Sequence, residues 1–411
     1  MPATRDAIQN ARRFLLSRLF TSLAAALGVM QVLVAHWAAV LVGAASARSA
    51  WPWLVAAVVL ALGNARVVPA LARARNRPGA LGTALRRYIE LSVATLLVGL
   101  AVAVAWLALG FPLTLFRALG ALTPEEAARA FRVTSGVFVG TVALAVAWSF
   151  TVGQARVART HLRVELPGLA DPLAGLRVVQ ISDLHIGNGL EGARLARMVE
   201  RVNASEPDLI AITGDIFDRD PLHLPEARHL AGLRARHGVF AILGNHDTYV
   251  GSDRVADAIA RHAPGVRLLR DELVRLPVDH PFYVAGLEDP GWPWFDRQLR
   301  YDALESLRTR WPGDGPVLLL AHQPEVFLHA AELGFPLVLA GHTHGGQLAL
   351  PTPGGHWNLA RVMTPLTRGV YRSGGTTLYV NRGLGVGGPA MRFHCPREIA
   401  TIELRTLVLQ G

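Results

Sequence analysis

The 411-residue chain carries 41 basic and 31 acidic residues, a net charge of +10, and its 51% apolar content is high for a soluble protein. The charge is uneven: residues 1–164 are net +13 and residues 165–411 net −3, so the second part advertises no basic surface for nucleic acid. Cys395 is the sole cysteine, which rules out an intrachain disulfide.

Four apolar runs occupy residues 19–154. Leu19–Ala47, Leu91–Leu115 and Thr134–Val152 carry no Arg, Asp or Glu, and each is long enough for the roughly 20 apolar residues that a membrane helix needs. The second run, Trp51–Leu71, is interrupted by Arg66 and crosses only if that side chain snorkels or faces the bundle interior. The first run is too long for a cleaved signal peptide and is followed by further spans. About four transmembrane helices are therefore expected over 19–154, after an N-terminal segment, 1–18. With four crossings, twelve Arg fall on the side of both termini and four on the other. The positive-inside rule then places the termini in the cytoplasm of a multi-pass inner-membrane protein.

After a connecting segment, 155–174, the texture changes. Val178–Ile181, Leu209–Thr213, Val239–Leu243, Tyr283–Ala285, Val317–Ala321 and Leu337–Ala340 read as buried strands, with Leu378–Val380 and Ile399–Leu404 closing the domain. Ala193–Asn203 and Asp253–His262 have helical spacing, so residues 175–405 read as an α/β domain.

Five strands run into polar clusters. They are Asp183-Leu184-His185, Gly214-Asp215-Ile216-Phe217-Asp218, Gly244-Asn245-His246-Asp247, His322 and Gly341-His342-Thr343-His344. In open α/β sheets the ligand crevice lies beyond the carboxyl ends of the strands, so the clusters are expected to converge. Asp, His and Asn suit manganese, iron or zinc, and a shared carboxylate lets such a set hold two ions. A divalent ion lowers the pKa of its water from 15.7 to about 7, which supplies a nucleophile at neutral pH.

These motifs resemble those of the calcineurin-like metallophosphoesterase superfamily over about residues 175–405. His344-Gly345-Gly346-Gln347, Arg382-Gly383-Leu384-Gly385 and Cys395-Pro396-Arg397-Glu398-Ile399 are similar to a bacterial membrane-anchored branch that includes UDP-2,3-diacylglucosamine hydrolases. The resemblance implies a four-layer α/β/β/α sandwich and two divalent ions, Mn²⁺ foremost, with Fe²⁺ or Zn²⁺ as alternatives. It puts Asp183, His185 and His344 on one ion and Asn245, His322 and His342 on the other, with Asp215 bridging. It makes His246 the general acid and Asp218 the residue that orients it. Asp218 stands where the purple acid phosphatase branch places Tyr, which disfavours an Fe(III) centre.

The expected partners are the bilayer and a phosphate-bearing substrate, with a lipid-linked one preferred. Arg219, Arg382 and Arg392 are candidate phosphate contacts. The competing functions are a general phospholipid or nucleotide phosphodiesterase and a non-catalytic membrane scaffold with a degenerate phosphoesterase domain. His36 lies in the first span, where a helix-interface hydrogen bond outweighs a proton relay. Trp51, Trp53, Trp292 and Trp294 are candidate interfacial anchors.

Overall fold

A computed structural model describes residues 2–43, 51–74, 80–291, 300–353 and 355–407. Trp292 and Trp294 lie outside the described residues, as do Arg48, Arg75 and Arg77, three of the arginines counted for topology. The chain divides into two compact units, Met1–Phe150 and Thr151–Gly411.

In the first unit the apolar runs form α1 (Pro2–Leu41), α2 (Trp51–Ala74), α3 (Ala80–Ala105), α4 (Phe111–Ala118) and α5 (Pro124–Trp148). A π-helical turn, Trp106–Gly110, carries α3 on into α4. A capping box starts α5: the Glu126 N–H donates to Thr123 Oγ1 at 3.2 Å, and the Thr123 N–H donates to the Glu126 carboxylate at 2.8 Å. Pro124 occupies the first turn, where its missing N–H costs nothing.

Three stretches are long and apolar enough to cross a membrane: Ala24–Leu41, Gly82–Ala118 and Pro124–Gly153. The fourth expected span is a shorter apolar helix, Trp51–Val67, and Arg66 near its end is exposed, not turned into the bundle. With three crossings the termini would lie on opposite sides, so the Arg count alone does not assign a side to the second unit.

Small and polar residues make the close helix contacts, as in membrane bundles. Gly28 lies so near the α2 backbone at Ala61 that a Cβ has no room. Asn64 Nδ2 donates to Gln31 Oε1 at 3.0 Å, and Trp37 Nε1 donates to Ser135 Oγ at 3.1 Å. His36 packs its ring on Trp53 and Trp106, with centroids 5.0 and 5.7 Å away. Leu62, Leu107 and Leu144 point outward and are about two thirds exposed or more, a surface suited to lipid.

The second unit contains fourteen strands among its described residues. In order they are β1 (Val157–Leu166), β2 (Arg177–Ile181), β3 (Leu209–Thr213), β4 (Val239–Ile242), β5 (Val266–Leu268), β6 (Glu272–Arg275) and β7 (Tyr283–Gly286). Then follow β8 (Val317–Leu320), β9 (Leu337–Ala340), β10 (Ala349–Thr352), β11 (Gly355–Asn358), β12 (Gly369–Ser373), β13 (Thr376–Val380) and β14 (Arg397–Thr406). Two six-stranded sheets result, ordered β1-β14-β2-β3-β4-β5 and β12-β13-β9-β8-β7-β6, and β10–β11 is a separate hairpin.

The central strands are buried on both faces, which is why they read as unbroken apolar runs. Val178, Leu209 and Ala211 of the first sheet meet Val284, Leu318 and Leu337 of the second in an inner core. Val179, Ile210 and Ile212 point the other way, onto Leu195 and Val199 of α6 (Gly192–Asn203) and Val255 and Ile259 of the helix Ser252–His262. Leu319, Val338 and Leu378 cover the far face against Leu304, Leu307 and Ala330 from the helices Tyr301–Arg310 and Phe327–Glu332. The layers therefore run helix, sheet, sheet, helix. Each fully buried Leu, Ile or Val contributes about 1.5–3 kcal/mol.

The segment expected to connect the two parts is largely strand. β1 pairs in parallel with β14 from Val157↔Arg397 to Leu166↔Thr406 and forms the edge of the first sheet. Its outward positions, Arg159, His161 and Arg163, are polar, so only half of its residues signal burial.

Candidate metal centre

The loops that follow β2, β3, β4, β8 and β9 meet at one end of the two sheets. The Asp183 N–H donates to Gly214 O and the His185 N–H to Asp215 O, both at 3.0 Å, while the Gly341 N–H donates to His322 O at 3.0 Å. Gln180 ties the sheets together, donating to Thr213 Oγ1 and to Ala340 O at 2.9 Å each.

All seven expected ligands arrive there, and none is more than 7% exposed. Donor atoms of Asp183, His185 and His344 lie within 4.8 Å of one another, as do those of Asp215, His322 and His342. Asp215 stands between the groups: Oδ2 is 3.5 Å from His185 Nε2, and Oδ1 is 3.3 Å from His322 Nε2. His344 Nε2 is 2.9 Å from His185 Nε2, and His342 Nδ1 is 3.1 Å from His322 Nε2. Asn245 donates its amide to Tyr249 Oη at 3.1 Å, which leaves its buried Oδ1 without a partner.

The backbone is shaped for this convergence. Asp183, His185, Asp215, His342 and His344 all have φ between 45° and 70°, the left-handed region that non-glycine residues seldom enter. Strain of that kind concentrates at functional sites. Two glycines that open clusters are required by space. A Cβ on Gly244 would strike the Asp215 carboxylate, and one on Gly341 would strike Ser182 Oγ and the Asp183 carboxylate.

Electrostatics fit cations. Burial, with Asp215 nearby, pushes the Asp183 carboxyl up despite His322 and His185. Burial would also raise Asp215, but His322, His246 and His185 hold it well below the usual carboxylate range. Burial and His322 lower His342 to about 3, and burial, His185 and Arg392 lower His344 well below its ordinary value. Both are neutral imidazoles at pH 7, the form that ligates a metal. Buried carboxylates, the neutral imidazoles of His342 and His344 and an orphaned amide oxygen are donors expected of a divalent-cation site. Burial would lower His322 too, but Asp215, Asp183 and Asp289 raise it well above its ordinary value in the absence of a cation.

His246 stands at the edge of the group and is more exposed than the ligands. Its Nδ1 lies 2.9 Å from Asp218 O and 3.3 Å from Asp218 Oδ1. Burial would lower its pKa, but Asp215 and Asp218 raise it, favouring the protonated form. Asp218, pushed up by burial, is held well below its usual range by His185 and His246.

The three candidate phosphate contacts part company. Arg219 is exposed, with its guanidinium 5.6 Å from the Tyr249 ring centroid. Arg382 is engaged by Glu398, through its backbone N–H at 2.9 Å and its Nη2 at 2.5 Å. Arg392 is fully buried and donates to the carbonyls of Arg382, Gly385 and Cys395 at 2.8, 2.9 and 3.1 Å. It braces the loop beside His344 and has no surface to offer a substrate, which corrects its reading as a phosphate contact.

Asp247 and Asp289 carry weight that the sequence reading did not assign. The Asp247 carboxylate accepts the N–H groups of Gly244, Ile216 and Phe217 at 2.9, 3.0 and 2.8 Å and so locks two ligand loops together. Asp289 accepts Gln323 Nε2 at 2.9 Å and the Gly291 N–H at 2.8 Å, beside His322. Burial pushes each carboxyl to about 6. Asp289 follows β7 as the other acids follow their strands, and that position was its available signal.

Two sheets whose five polar strand ends converge on His/Asp clusters that could hold metal are the framework of a phosphoesterase, and residues 176–346 match the calcineurin-like phosphoesterase family. An uncharacterized metallophosphoesterase of Aquifex aeolicus is 32% identical over 233 residues, covering 56% of this chain and 85% of that protein. The chain belongs to the calcineurin-like phosphoesterase family. A Danio rerio transmembrane protein with metallophosphoesterase domain is 32% identical over 68% of this chain and 64% of its own length. The UDP-2,3-diacylglucosamine pyrophosphatase LpxG of Chlamydia trachomatis is 29% identical over 59% of this chain and 88% of that protein. The chain spans less than two thirds of the length of the Danio rerio relative.

Proposed function

We propose that the chain is a membrane-anchored hydrolase of phosphoesters or pyrophosphates, acting on a lipid-linked substrate akin to UDP-2,3-diacylglucosamine with two Mn²⁺ ions. The observation that carries this reading is the pair of buried ligand triads meeting at Asp215, with a protonatable His246 beside them. Asp183, His185 and His344 would hold one ion, and Asn245, His322 and His342 the other, with Asp215 shared. Divalent cations there supply an acidified water and neutralise charge on the phosphoryl oxygens.

The chain's own residues do the rest. His246 holds a proton for the leaving oxygen, a contribution of about 10²–10⁴ in rate. Asp218 fixes the ring through Nδ1, leaving Nε2 to face the reacting group. The exposed guanidinium of Arg219 would meet a substrate phosphate.

The lipid part of the proposal is supported by the apolar helices and by the pyrophosphatase relative. A cytoplasmic active site is compatible with either count: with three crossings the N-terminus would lie on the other face, and with α2 crossing as well both termini would be cytoplasmic. The apolar part of α2, Trp51–Val67, reaches about 26 Å at 1.5 Å per residue, a few ångströms short of the roughly 30 Å hydrocarbon core, so a crossing would need Arg66 to snorkel at its end.

The test has two stages. Hydrolysis of bis-p-nitrophenyl phosphate with added Mn²⁺ separates an enzyme from a scaffold. Incubation with membrane lipid extracts, read by mass spectrometry, identifies the phosphate-bearing product. Activity on the soluble ester with no change in any lipid would overturn the lipid-linked reading.

A further inference from the structure

The β10–β11 hairpin leaves the metal centre five residues after His344 and presents an apolar face that the described chain does not cover. Leu350 and Trp357 are direct cross-strand partners, so their side chains share one face, and they are 53% and 46% exposed. The following 3₁₀ turn, Leu359–Val362, aligns residues three apart. Leu359 and Val362, 59% and 76% exposed, therefore extend the same kind of surface. The base is firmly held: Ala349 and Asn358 are fully buried, the Ala349 N–H donates to Phe393 O at 2.8 Å, and Asn358 Nδ2 donates to Thr367 Oγ1 at 3.3 Å.

The charge around this face has one sign. From Leu333 to Arg397 the sequence holds six Arg and no Asp or Glu. Arg382 is paired with Glu398, and Arg392 and Arg397 are buried, but Arg361 and Arg372 are exposed. Among the described residues no carboxylate pairs with Arg361, Arg368 or Arg372. The local field is felt by His356 on β11, which burial, Arg368, Arg361 and Arg382 lower to about 4.

An apolar tip bearing a Trp, with Arg361 and Arg368 close enough to act on His356, is the composition that partitions into a lipid headgroup region. Anionic lipid complements the arginines. The chain also carries its own bilayer-crossing helices, so a lipid surface is a partner it always has at hand. We propose that the β10–β11 hairpin and the Leu359–Val362 turn dip into the interface of an anionic phospholipid bilayer, at the rim of the metal centre. This does not rest on the substrate reading, because its test reads lipid contact and not turnover.

The experiment uses the full chain in nanodiscs, with an environment-sensitive fluorophore on Thr352→Cys at the exposed hairpin tip; native Cys395 is buried. Doxyl-labelled lipids should quench that probe by about twofold or more in phosphatidylglycerol-containing discs. They should barely touch a probe on Asp279→Cys, in the exposed β6–β7 turn. Quenching should fall in phosphatidylcholine discs, in a Leu350→Ser/Trp357→Ser variant and in an Arg361→Glu variant. Equal quenching at positions 352 and 279 would overturn the proposal. So would a position-352 probe shielded from both aqueous iodide and doxyl lipid, which would mean that protein covers the face.

Discussion

Asp218 and His246 meet through Oδ1 and Nδ1 at 3.3 Å, and the same carboxylate oxygen stands 3.2 Å from Nδ1 of His185. One carboxylate thus orients both a candidate metal ligand and the candidate acid. Removing each partner should therefore have different consequences. His246→Ala should cut turnover by about 10²–10⁴ while the metal bound per chain stays unchanged. Asp218→Asn should lower turnover and also weaken metal affinity by about 10–100-fold, because His185 loses its outer partner. Elemental analysis beside steady-state kinetics checks both, and metal loss from His246→Ala would count against its role as the acid.

Asp215 lies within 3.5 Å of His185 and 3.3 Å of His322, one from each ligand group. Asp215→Asn should therefore strip both ions and not one. Ligand that binds only the folded state at 100 times its Kd stabilises by about 2.7 kcal/mol. Added Mn²⁺ should thus raise the unfolding temperature of the wild type in a calorimeter and leave the variant unmoved. A variant that keeps half of the metal would mean that the carboxylate is not shared.

Gly244 has no space for a methyl group, since a Cβ there would meet the Asp215 carboxylate and sit 2.8 Å from His322 Nε2. Gly244→Ala should cost about 1–3 kcal/mol through overpacking. The displaced Asp215 should lower metal content at the same time. Gly265→Ala, at a position with open space, is the control expected to bind metal normally.

Much of this site is legible in the sequence because each ligand cluster follows a strand that is buried on both faces. Such strands announce themselves as β-branched and apolar runs, and a polar residue at their ends stands out, as Asp183, Asp215 and His322 do. What escapes the sequence depends on tertiary partners. Arg392 looks like a phosphate ligand until its guanidinium is seen filling a cage of backbone carbonyls. β1 is hidden because it is an edge strand with Arg159, His161 and Arg163 outward, and nothing local says that it will pair with β14, over two hundred residues away. The length of the α2 apolar run was readable, but the exposed position of Arg66 was not.

Glu398 gives a pH dependence outside the metal centre. Its buried carboxylate accepts Tyr379 Oη at 2.8 Å, the Arg382 N–H at 2.9 Å and Arg382 Nη2 at 2.5 Å, and it also accepts Thr160 Oγ1. Burial would raise its pKa, but Arg382 and Thr160 lower it below the ordinary value. A carboxyl depressed on folding contributes stability that is present above its unfolded pKa, about 4.3, and lost as pH falls through the folded value. Glu398→Gln should cost about 1.5–3 kcal/mol at neutral pH by weakening the charge-assisted hydrogen bonds from half-buried Arg382. It should also flatten the acid limb of the unfolding temperature against pH. An acid limb as steep in the variant as in the wild type would remove Glu398 as its source.

His342 allows backbone strain to be separated from ligand chemistry. Its φ is 70°, a conformation that costs a residue with a Cβ about 1–2 kcal/mol and costs glycine almost nothing. His342→Ala and His342→Gly both delete the imidazole, so both should lose metal and turnover to the same extent. They differ only in whether a Cβ remains to clash in the left-handed region. Glycine is more flexible in the unfolded chain, which works against the Gly variant by roughly 0.5–1 kcal/mol. If the strain is real, the Gly variant should still be at least as stable as the Ala variant in metal-free denaturant titrations, reversing the order seen at an ordinary strand or helix position. An Ala variant more stable by about 1 kcal/mol would show that the loop relaxes once the imidazole is gone. In that case the ligand, not the surrounding structure, would be what holds the backbone in its unusual shape.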